Sequence, residues 1–94
     1  MLIDKSYKGL KKVEDYYRIN NSIRTSDDVS IVLDSKLEIK GSLEVGGSLS
    51  SNVSLVVWGD VLVKGKLNID AEAFVSGMFE VRGQVAVKGG LGIY

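Results

Sequence analysis

One six-residue pattern, aliphatic-x-aliphatic-x-small-x, runs in phase from Leu37 to Tyr94 without insertion or deletion, and few folds accept such regularity. Its first place holds Leu37, Leu43, Leu49, Leu55, Val61, Leu67, Ala73, Phe79, Val85 and Leu91. The third place is almost as uniform, from Ile39 and Val45 to Val87 and Ile93, with Ser51 as its one polar member. The fifth is glycine except at Val53 and Ala71, which stand three hexads apart, with Ser35 another three hexads before Val53. The longer repeat is therefore three hexads.

Strict odd-even alternation puts Leu37, Ile39, Leu43 and Val45 on one face only if the chain is extended, so the stretch is read as strands. An antiparallel meander also alternates, but it needs turn chemistry at each reversal, and these glycines recur too evenly for hairpins. Short strands joined at small-residue corners instead predict an all-β fold, a parallel β-helix of triangular section with three hexads per coil. Leu37, Leu55, Ala73 and Leu91 then form one inner ladder, and Leu43, Val61 and Phe79 another. The glycines mark corners where a Cβ would collide or φ must be positive. Residues 31–94 make about three and a half coils, just past the three or so repeats a solenoid needs.

Residues 1–30 are out of this register and are expected to form a separate helical or irregular cap. Tyr7, Leu10, Val13 and Tyr17 recur at steps of three and four, which predicts one helix between Ser6 and Asn20, with Asp4 or Ser6 at its start. The coil is expected to begin near Ile31.

Composition narrows the chemistry. Net charge is zero, so no nucleic-acid or other polyanion partner is expected. The chain has no histidine and no cysteine, which removes the commonest general base, the thiol nucleophile and the usual transition-metal ligands together. No enzyme activity, cofactor, metal or small-molecule substrate is expected. No apolar run approaches the roughly 20 residues of a membrane span, so a cytoplasmic protein with no direct span is expected.

Two hexad families differ in where glycine falls. In left-handed hexapeptide acyltransferases the small residue directly follows the key aliphatic, and that activity depends on histidine; here glycine comes two later, as in Val63-Lys64-Gly65 and Val81-Arg82-Gly83. The alternation in LEIKGSLEVGGSL and VLVKGKL resembles that of bactofilins, over residues 31–94. The resemblance implies a right-handed triangular β-helix that polymerises end to end without nucleotide. Residues 1–30 do not resemble the short disordered tail of that family.

Stacking at three hexads sorts the outward positions into three faces. Asp34, Asn52, Asp70 and Glu72 line one, shared with Lys36 and Lys88, and read as solvated surface. Lys64, Lys66 and Arg82 lie with Glu44 and Glu80 on another. The third carries Val56, Trp58, Phe74, Met78 and Tyr94, a contiguous apolar patch expected to be a protein interface unless Tyr7, Leu10, Val13 and Tyr17 fold back over it. Leu91, Ile93 and Tyr94 close the last coil without a polar cap and are expected to mediate self-association through the coil end. Two functions follow as expectations. One is a bactofilin-like structural scaffold forming homo-oligomers, dimers or filaments; the other is a small inhibitor or adaptor, phage-encoded in one version, whose Trp58 face binds another protein such as a host enzyme or defence complex.

Overall fold

The computed structural model describes residues 1–93. Among these every regular element is a strand, each short because the hexad allows three extended residues before a corner. The first turn and its cap comprise β1 (Leu2–Ile3), β2 (Leu10–Val13), β3 (Tyr16–Ile19), β4 (Ile23–Thr25) and β5 (Val29–Ile31). The in-phase hexads give β6 (Leu37–Ile39), β7 (Leu43–Val45), β8 (Leu49–Ser51), β9 (Leu55–Val57) and β10 (Val61–Val63). They continue as β11 (Leu67–Ile69), β12 (Glu72–Val75), β13 (Phe79–Val81), β14 (Val85–Val87) and β15 (Gly90–Ile93).

These strands stack into three sheets, in the orders β1-β5-β8-β11-β14, β4-β7-β10-β13 and β2-β3-β6-β9-β12-β15. The chain visits the sheets in rotation, so the fold is a parallel β-solenoid of about four turns. Among the described residues every pairing is parallel except that of β2 with β3. Leu55 faces Leu37 below and Ala73 above, and Ala73 faces Leu91, as the inner ladder requires. Leu37, Ile39, Val45, Val57 and Val63 are fully buried on the axis. Each such side chain contributes roughly 1.5 to 3 kcal/mol of burial. Ser51 also points inward and is satisfied locally, donating to the Val53 carbonyl at 2.7 Å.

The expected N-terminal helix is absent. Residues 4–9 form turns, with the Ser6 N–H and Oγ–H both donating to Asp4 Oδ1, so Asp4 caps a turn rather than a helix. Gly9 has φ +95°, outside the helical region. After it β2 runs through a two-residue loop, Glu14 and Asp15, into an antiparallel pairing with β3. The three-and-four spacing that mimics a helical face is overridden because β3 gains a parallel partner in β6, and Tyr17 and Ile19 point into the core.

The parallel ladders therefore continue below Ile31. Tyr17, Ile23 and Val29 face Leu37, Leu43 and Leu49, a separation two residues longer than three hexads. The two extra residues lie between Ile31 and Leu37, at the corner without glycine. Leu33 turns into the core there, and Asn52 from the next coil holds the bulge, accepting from the Leu33 N–H at 3.0 Å and donating to its carbonyl at 2.9 Å.

At the glycine corners the cause is close approach, not positive φ. A Cβ on Gly59 would strike Ser42 Oγ and the backbone beneath it. That hydroxyl is occupied, because it accepts from the Asp60 N–H at 3.0 Å. The glycine of one coil thus leaves room for the sixth-place oxygen of the coil below, which in turn satisfies a corner N–H that the ladder cannot reach.

Candidate interaction surfaces

The outer face of the third sheet carries the row Arg18, Glu38, Val56, Phe74 and Gly92, in register from coil to coil. Glu38 is the centre of this face. Its side chain is buried between coils, where desolvation raises the pKa, but two donors outweigh that. Trp58 Nε1–H donates to Glu38 Oε2 at 2.7 Å and Arg18 Nε–H to Oε1 at 2.7 Å, holding the carboxyl below its usual range. Arg18 also donates to the Tyr16 hydroxyl at 2.8 Å.

Trp58 is consequently fixed although 45% exposed. Its ring meets Phe74 edge-on at 6.2 Å between centroids, and the Lys40 ammonium lies 5.4 Å from its centroid. Val56 and Phe74 are adjacent on neighbouring strands, so the structure brings Val56, Trp58 and Phe74 together. Met78 stands at a following corner with its N–H on Asp60 Oδ1 and its side chain 75% exposed. Tyr94, expected in this patch and at the coil end, lies outside the described residues.

The N-terminal segment does not cover this face. Tyr17 is part of the axial core, and Tyr7 and Leu10 pack against that core from below. The Arg18–Glu38–Trp58 network is not among the sequence expectations. Its Arg18 member sits two residues more than three hexads before Glu38, a spacing hidden until the first coil is known to be longer.

The two polar faces hold local pairs. Asp34 accepts from the Tyr17 hydroxyl at 2.7 Å and pairs with Lys5 at 2.8 Å; Asp70 pairs with Lys88 at 3.4 Å. Arg82 pairs with Glu80 at 3.2 Å, and Arg24 with Glu44 at 2.9 Å. Among the described residues no three carboxylates converge on a point that could hold a cation.

The ends of the coil differ sharply. At the N-terminal end β1, β4 and β2 are the outermost strands of the three sheets, and the inward residues Ile3, Tyr17, Ile19, Ile23 and Val29 are buried. The C-terminal end is formed by β13, β14 and β15, all three with an open edge. There, among the described residues, the inward positions Val85, Leu91 and Ile93 are 48%, 40% and 49% exposed. A groove of about 590 Å³ at this end is lined by Val56, Phe74, Leu91 and Gly92 together with Lys36 and Glu72. Among the described residues no helix is long and apolar enough to cross a membrane. Comparisons with protein-family models, curated proteins and solved structures return no match for this chain.

Proposed function

We propose that this chain is a non-enzymatic scaffold that associates with copies of itself through its open C-terminal coil. The observation that carries the reading is the exposure of the inner-ladder aliphatics Val85, Leu91 and Ile93 beside the open edges of β13, β14 and β15, where the inward residues of the opposite end are buried. Unpaired strand N–H and C=O groups beside apolar side chains template further pairing. The bactofilin-like hexad alternation supports the same reading, together with the right-handed coil of that family. A cytoplasmic setting belongs to it as well, since a cysteine-free chain suits a reducing compartment.

A concentration series in sedimentation velocity, paired with negative-stain microscopy, tests it. Concentration-dependent association is expected, and a monomer at the highest attainable concentration overturns it.

A second reading, an adaptor or inhibitor that docks another protein, is favoured by the exposed but immobilised Trp58 beside Phe74. A preordered indole loses little entropy on binding and is a frequent hot spot. Trp58→Ser tests which surface carries the self-contact. Glu38 keeps Arg18, so the circular dichroism should be unchanged; retained self-association assigns the end as the contact, and lost self-association assigns the Trp58 face instead.

A further inference from the structure

We infer that two copies meet tail to tail about a two-fold axis at Ala86, forming a closed dimer rather than a filament; this rests on the self-association reading above. The argument begins with the ramp of the coil. One turn climbs one strand spacing of about 4.8 Å, so β14 sits about a third of a step above β13, and β15 a third above β14. A two-fold axis perpendicular to the coil reverses the chain's sense of rotation, and every pairing across it is therefore antiparallel.

Only one face can lie on that axis. If β14 meets β14 of the second copy, β13 meets β15 of that copy, the lower strand faces the higher one, and the offsets cancel in all three sheets. With β13 on the axis the other two sheets collide. With β15 on it they stand a full strand spacing too far apart.

The free backbone groups agree with this choice. The Gln84 carbonyl accepts from Leu67 N–H and the Lys88 N–H donates to the Ile69 carbonyl, both towards the coil below. By alternation Ala86 also bonds downward, and the N–H and C=O groups of Val85 and Val87 point to the open side. In β13 the Met78 carbonyl and Arg82 N–H are likewise engaged below, which leaves those of Phe79 and Val81 free. Across the axis Val85 and Val87 of opposite copies form hydrogen-bonded pairs. Ala86 then faces Ala86 in the close, non-hydrogen-bonded position, where a small side chain suits Cα atoms about 4.5 Å apart.

The same register carries round to the other two sheets. Inward, Phe79 faces Ile93 of the second copy and Val81 faces Leu91, joining the two axial cores. Outward, Glu80 faces Gly92 and Arg82 faces Gly90, so no like charges oppose each other. Sliding one pair in one direction would set Arg82 against Lys88, which like-charge repulsion disfavours. Growth stops at two because the opposite end has no apolar surface to match: its inward residues Ile3, Tyr17, Ile19, Ile23 and Val29 are buried, and its edge strand β2 runs antiparallel with Lys11 and Lys12 exposed.

The experiment uses Ala86, whose side chain is exposed in the single chain, so its substitution leaves folding intact. Ala86→Lys places two ammonium groups directly opposite each other and should raise the dimer dissociation constant at least tenfold in sedimentation velocity. Ala86→Cys introduces the chain's single thiol, at a Cα separation a disulfide tolerates, and mild oxidation should give a covalent dimer. Asn68→Cys, one coil below on the same sheet, should stay monomeric on a denaturing gel. Association that ignores Ala86→Lys and yields no Ala86→Cys crosslink overturns the two-fold register while leaving self-association standing. A monomer under every condition overturns both.

Discussion

The two ends of the solenoid are made from the same alternating pattern, yet one is closed and the other open. At the N-terminal end Ile3, Tyr17, Ile19, Ile23 and Val29 are all buried, although among the described residues no further full coil stacks on them. At the C-terminal end the equivalent positions Val85, Leu91 and Ile93 are exposed. The difference comes from three departures from the hexad rule. β2 runs antiparallel, carries two lysines in its short span, and packs over a first-place position occupied by tyrosine instead of an aliphatic. The Lys12 ammonium sits 4.5 Å from the Tyr17 ring centroid, and the Tyr17 hydroxyl reaches Asp34, so the axis ends in groups that tolerate water. Closing a repeat coil thus requires breaking its pattern, and a coil that keeps its pattern to the last turn presents core to its surroundings.

The largest expected effect tests whether inward positions at the middle and at the open end really differ. Val63 is fully buried, so Val63→Asp adds an unpaired carboxylate to the axis and removes a packed aliphatic. Against a total stability of about 5 to 15 kcal/mol, that combination should abolish the cooperative thermal transition seen by circular dichroism. Val85→Asp makes the same change at the open end and, measured at concentrations low enough to keep the chain monomeric, where water reaches the group, should cost less than about 1 kcal/mol. Equal losses at both positions would mean that the last coil is as enclosed as the others.

A smaller effect should come from opening the closed end. Tyr17→Ala removes an axial ring and its bond to Asp34, and truncations of this kind cost about 3 kcal/mol. The variant should melt lower in denaturant and bind more of a hydrophobic dye than the parent. Its two ends would then resemble each other, and assemblies longer than two should appear. A variant that melts lower but stays dimeric would show that Lys11 and Lys12 alone suffice to terminate stacking.

Much of the coil was legible because a period of two and a period of three hexads leave independent marks on the sequence. The inner ladders from Leu37 to Ile93 and the outward grouping of Val56, Trp58 and Phe74 both follow from those periods alone. What hid the first turn was a phase shift: two residues inserted near Leu33 put Tyr17, Ile23 and Val29 out of step, and a reading anchored at Leu37 loses them. The same shift concealed the Arg18–Glu38 pair. The helix was mistaken because Tyr7, Leu10, Val13 and Tyr17 share a spacing that a turn, a hairpin and a strand also produce. Local periodicity cannot weigh the parallel partner that β6 supplies. The role of the sixth place was available but unread, since Ser42, Ser48 and Asp60 fall one coil below Asp60, Lys66 and Met78, whose N–H groups their oxygens accept.

The smallest effect concerns what fastens the closed end. Lys5 and the Tyr17 hydroxyl hold the Asp34 carboxyl at about 2, below its ordinary value of 3.8. Because the folded value is the lower one, the unfolded chain takes up the proton first as pH falls. The stabilisation is therefore complete above about pH 4 and is lost as pH drops from there towards 2. Urea midpoints should fall across that window in the parent and fall less in Asp34→Asn. Asp34 and Lys5 are both more than half exposed, so added salt should shrink the difference. The acid response should shrink but persist in Tyr17→Ala, which removes the hydroxyl donor and keeps the larger contribution of Lys5. A response of equal size in the parent, Asp34→Asn and Tyr17→Ala would place the acid sensitivity elsewhere in the coil and remove this distinction between the ends.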